Sequence, residues 1–70
     1  MTLYFIDARG EMRLVKKDVE AETATKEISA YVKTLNPDYK IYYFRSWYSE
    51  DYGGTMYDIG SHVEFFLLAE

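Results

Sequence analysis

A chain of 70 residues makes one domain, residues 1–70, near the lower limit for unaided folding. Its lack of cysteine excludes a disulfide framework, a thiolate metal site and a cysteine nucleophile. Twelve acidic residues against eight basic ones leave a net charge of −4, which makes a phosphate backbone an unfavourable ligand. The N-terminus lacks a basic region followed by an apolar stretch and a small-residue cleavage site, and no apolar run approaches about 18 residues, so the expectation is a soluble, cytoplasmic protein with no membrane segment.

Leu3-Tyr4-Phe5-Ile6 is a continuous apolar run that predicts a strand buried on both faces. Asp7-Ala8-Arg9-Gly10 follows as a turn, and Met12, Leu14 and Lys16 then alternate with Arg13, Val15 and Lys17 as a half-exposed strand whose charges protect an edge. Ala21, Ala24, Ile28, Tyr31, Val32 and Leu35 recur at helical spacing and predict a helix over about residues 20–35. Asp18 is its expected N-cap, and Asn36-Pro37 its end, because proline disfavours helical geometry in the residue before it. Residues 39–49 are predicted as one long strand, Glu50–Gly54 as a turn, and 55–68 as a return strand interrupted at Gly60-Ser61, where glycine often marks a bulge or bend.

These elements assemble as ββαββ: an α+β domain with a four-stranded mixed sheet in the order 2-1-4-3 and one helix on one face. A right-handed crossover through the helix sets the first and last strands side by side and parallel. The order of elements and the helix placement resemble the β-grasp topology of the immunoglobulin-binding domains of streptococcal protein G; the resemblance is one of topology and implies no binding residues. A meander with the helix at one end is the alternative arrangement. In either, one helix of about 16 residues, roughly 24 Å long, covers one side of the sheet, while apolar residues occur on both sides of the strands. The other side therefore calls for a partner or a second copy.

Ten of the thirteen aromatic residues lie between Tyr39 and Phe66. Phe44, Phe65 and Tyr43 are expected in the core, whereas Trp47, Tyr48, Tyr52 and Tyr57 divide between core and interface. Residues 1–35 balance six basic against six acidic groups, so the net charge falls in the aromatic half. Glu50, Asp51 and Asp58 are expected to cluster about the hairpin tip as a solvated acidic turn, without the spacing of a calcium loop. His62, the sole histidine, is read as a surface or bulge residue, since adjacent Ser61 points to the opposite face of a strand. Gly53-Gly54 neither opens a helix nor precedes a lysine, so it reads as a turn rather than a phosphate loop. Arg9, Arg13, Lys16 and Lys17 are interspersed with Asp7, Glu11 and Asp18 and form a solvated edge.

The functional expectation is a small non-enzymatic protein-binding module with no cofactor, no metal and no catalytic residue. Its partner-binding residues are Trp47, Tyr48, Glu50, Asp51, Tyr52, Tyr57 and Asp58, and its partner is a protein with a basic surface, nucleic acid being disfavoured for want of a positive groove. By size and acidity such a chain is comparable to phage and mobile-element inhibitors, some of which imitate the charge of DNA. The alternative is a structural or accessory protein that closes a homodimer through its apolar sheet face.

Overall fold

The computed structural model describes residues 1–60 and 63–70. In it β1 (Thr2–Ile6), β2 (Met12–Lys16), β3 (Arg45–Ser49), β4 (Gly54–Asp58) and β5 (Phe65–Ala69) form a single sheet, and α1 (Ala24–Leu35) packs on one side of it. The strand order is β2-β1-β5-β4-β3, and every pairing is antiparallel. This overturns the four-stranded mixed sheet, its 2-1-4-3 order and the protein-G-like topology. The first and last strands are indeed neighbours, but antiparallel, because the predicted return strand is two strands. A straight strand over 55–68 would extend about 45 Å at 3.3 Å per residue, beyond the 31 Å longest dimension of the molecule. The chain instead reverses between Asp58 and Phe65. Gly60 takes a φ of 102° there, and the hydroxyl of Tyr43 lies 3.4 Å from where a Cβ would stand. Ser61 and His62, and with them the reading of a surface histidine and the serine half of the expected bend, fall outside the described residues.

The long strand expected over 39–49 is also shorter. Regular pairing runs only from Arg45↔Asp58 to Ser49↔Gly54. Beyond Asp58 the fourth strand turns away, so residues 39–44 have no ladder to join and run irregularly towards α1. Tyr43 and Phe44 consequently stay exposed rather than entering the core.

α1 forms where its sequence indicates. Ala24, Ile28 and Val32, four residues apart, are buried against Leu3, Phe5, Tyr57, Phe66 and Leu68. Tyr31 on the same side lies 5.5 Å from the ring of Phe5 and 6.0 Å from that of Phe66. The helix ends at Asn36, whose N–H donates to the Val32 carbonyl at 2.9 Å before Pro37 redirects the chain. Its start differs from expectation. Asp18 is not the N-cap: it has a φ of 59°, and the helix is entered through a 3-10 turn at Ala21–Thr23. Val19, buried beside α1, donates its N–H to the Met1 carbonyl at 2.7 Å, and this tie sets the helix entry. With β2 and β3 at opposite edges, the stretch containing α1 carries the chain from one edge to the other across a single face. A 12-residue helix is about 18 Å long, close to the roughly 19 Å spanned by four strand spacings.

The β1–β2 turn is held by Asp7, whose carboxylate accepts N–H bonds from Arg9 at 2.9 Å and Glu11 at 3.0 Å and lies 3.7 Å from Arg13. The bond from the Glu11 amide is the largest influence on its pKa; desolvation opposes it, and the Arg9 amide and the guanidinium groups of Arg13 and Arg9 add to it, so the pKa lies below the ordinary 3.8. A carboxylate with a lowered folded-state pKa adds stability that is complete above the unfolded value and is lost as pH falls through the folded one. Asp7→Asn is therefore expected to lower the urea midpoint at pH 7 and to converge on the parent protein as pH drops below 3.8. A difference that persists undiminished in acid refutes the assignment.

Candidate functional site on the uncovered sheet face

Side chains alternate along each strand, so the residues facing α1 identify those that point away. Leu3, Phe5, Tyr57, Phe66 and Leu68 face the helix. Tyr4, Ile6, Met56, Phe65, Leu67 and Ala69 lie on the opposite side, where Ile6, Met56 and Leu67 form a second buried cluster. The pairing registers align these residues in a row across all five strands: Leu14, Tyr4, Leu67, Met56 and Trp47. Met12, Ile6 and Phe65 form a shorter row beside it. Trp47 packs edge-on against Phe65, ring centroids 6.1 Å apart. These neighbours cover Leu67 and Met56, but the flanks of the row stay open, with Leu14 54% and Trp47 41% exposed and Met12 exposed beside them.

Charge is nearly absent from this face. By strand alternation its ionic side chains are Arg45 and Asp58, and they neutralise each other. Arg45 donates to an Asp58 Oδ at 2.9 Å, and the other Oδ accepts the Gly60 N–H at 2.7 Å. Lys16 belongs to the helix side, where its ammonium meets Glu27 at 2.9 Å.

The seven residues chosen from sequence do not form one surface. Trp47 lies on the uncovered face, whereas Tyr48, paired with Thr55, points to the helix side and is 68% exposed. Glu50, Asp51 and Tyr52 are exposed in the turn that closes β3 and β4. That turn is built by the Ser49 carbonyl, which accepts from Gly53 at 2.9 Å, and by its hydroxyl, which accepts from Tyr52 at 3.3 Å. Tyr57 is buried under α1, and burial pushes its phenol above the ordinary pKa of 10.0. Asp58 is 1% exposed and sits at the far end of β4 from the turn, about 13 Å along a five-residue strand. The expected acidic cluster of Glu50, Asp51 and Asp58 therefore does not form. Sequence reasoning passed over Leu14, Met12 and Tyr4, whose alternation was visible but whose common face depends on register.

On the helix side, an open cleft of about 440 Å³ lies between the end of α1 and the sheet, lined by Phe5, Val32, Leu35, Tyr39, Ile59 and Glu64. The Tyr39 hydroxyl there donates to the Ile59 carbonyl at 3.3 Å, a bond that anchors the 39–44 segment. Among the described residues no group of three histidine, aspartate or glutamate side chains is placed to hold a metal ion, and no helix is long and apolar enough to cross a membrane. Compared with family models, curated proteins and solved structures, the chain finds no match.

Proposed function

We propose that this chain is a small protein-binding module whose working surface is the uncovered sheet face. One observation carries the reading: an apolar row that crosses all five strands opposite α1 and remains open at Leu14 and Trp47. A 70-residue domain has little apolar surface to spare from its core, and exposed apolar side chains such as Leu14, Met12 and Trp47, flanking the partly buried Tyr4 and Phe65, are what an interface uses. Because the charge on the face is internally neutralised, the partner that fits it is matched by apolar shape, with aromatic anchoring at Trp47. Glu50 and Asp51 stand exposed in the turn at one end of β3, outside this face.

The test is paired substitution on opposite sides of the sheet. Leu14→Ser with Trp47→Ala is expected to keep a cooperative melt and to weaken binding of a co-purifying protein at least tenfold, whereas Tyr48→Ser with Tyr42→Ser, on exposed rings outside the row, leaves it unchanged. Equal loss from both pairs, or none from the first, contradicts the reading.

A further inference from the structure

The two edges of the sheet are built differently. β2 carries Arg13 and Lys16, is followed by Lys17, and has an irregular register between its pairs with Leu3 and Tyr4, all features that discourage a further strand. β3 has no lysine and no break in register, and its single charge, Arg45, stands at its first residue. Its five residues pair with β4 in unbroken register, and among the described residues its other side has no neighbouring strand. It contains no lysine and no proline. Its charges are divided between its ends: Arg45 begins the strand, and Glu50 and Asp51 follow its last residue.

We infer that β3 pairs antiparallel with β3 of a second copy, joining two five-stranded sheets edge to edge. A closed two-fold dimer formed along a strand edge is necessarily antiparallel, and this direction matches opposite charges. Centred on Trp47, the pairing sets Arg45 opposite Ser49 of the second copy, next to that copy's Glu50 and Asp51; the symmetric contact forms at the other end. Arg45 can serve both contacts, because its guanidinium has five donors and its side chain is 66% exposed while bonded to Asp58. The basic group that the acidic turn selects is thus the arginine of another copy. The two Trp47 side chains become neighbours, and the apolar row of one sheet continues into the other. This arrangement is independent of the partner proposed above, since it leaves both uncovered faces open.

A five-residue edge contact is small, so association is expected at about 10–100 µM rather than in the nanomolar range. Sedimentation velocity on the full chain tests it. The parent protein is expected to dimerise over that range, with weakening as salt is raised from low to high because the end contacts are exposed and screened, and with a blue shift of Trp47 emission on dimer formation. Glu50→Lys with Asp51→Lys changes only exposed turn positions, sets cations against Arg45, and is expected to weaken association at least tenfold with an unchanged circular dichroism spectrum. Leu14→Ser, at the opposite edge of the sheet, is expected to leave association intact. A parent protein that stays monomeric at several hundred micromolar overturns the inference. So does a lysine variant that still dimerises, or a dimer that Leu14→Ser dissolves, which identifies face-to-face stacking instead. Partner capture by the monomeric lysine variant is expected to persist, so failure of the edge contact and failure of the binding-face reading are separate results.

Discussion

Replacing Phe66 with alanine is expected to leave much of the protein unfolded at 37 °C. Phe66 is on the central strand, is 1% exposed, and sits 5.1 Å from the ring of Phe5 and 6.0 Å from that of Tyr31. It therefore joins β5, β1 and α1 in one contact. Truncating a buried phenylalanine costs about 3–5 kcal/mol, from lost transfer free energy and the cavity left behind. A domain of this length has a total stability of roughly 4–10 kcal/mol at 0.05–0.15 kcal/mol per residue. At 4–8 °C per kcal/mol, the expected fall in Tm is about 20 °C. Thermal melting followed by circular dichroism measures it, with Tyr42→Ala as the control. Tyr42 is 86% exposed, and its loss is expected to change stability by no more than about 0.5 kcal/mol. A Tm for Phe66→Ala within a few degrees of the parent value would show that the core is not where β5 places it.

Gly54→Val is expected to be nearly as damaging, for a different reason. Gly54 opens β4 opposite Ala69. A Cβ added there would overlap the Leu68 carbonyl oxygen and stand 2.9 Å from the Ala69 Cβ. Backbone cannot yield as a flexible side chain does, so the central β4–β5 pairing has to shift. Overpacking of this kind costs about 3 kcal/mol, or about 12–24 °C in Tm. The neighbouring glycine supplies the comparison. Gly53 has a φ of 70° with open space around it, so Gly53→Ala meets only the left-handed backbone penalty of about 1–2 kcal/mol. Equal melting temperatures for the two variants would rule out the close approach of β4 to β5.

Much of the fold was legible because local chemistry and tertiary packing agree there. The stretch from Ala24 to Leu35 is apolar at every third or fourth residue, and Asn36-Pro37 stops it, so the helix needed no neighbour to be recognised. The apolar run around Phe5 marked an inner strand, and the charges of β2 marked an edge. The candidate site was less legible. Tyr57 and Tyr48 are both tyrosines on aromatic strands; one is buried under α1 and the other faces solvent, because their strands occupy different places in the sheet. Asp58 resembled Glu50 and Asp51 in sequence, but lies at the other end of a strand, neutralised by Arg45.

The sequence by itself determined the absence of cysteine, an α+β make-up, the helix that ends at Asn36-Pro37, and a sheet with apolar residues on both sides. Those properties follow from composition and from periods of two and 3.6, which are local. Only the tertiary structure decided the number of strands and the direction of the last one, since a reversal near Gly60 and a bulge there look alike without the strands on either side. It also decided which side chains share the uncovered face. A row such as Leu14, Tyr4, Leu67, Met56 and Trp47 is drawn from five separate strands, and strand order and register, which bring them together, are set by long-range pairing rather than by any one segment.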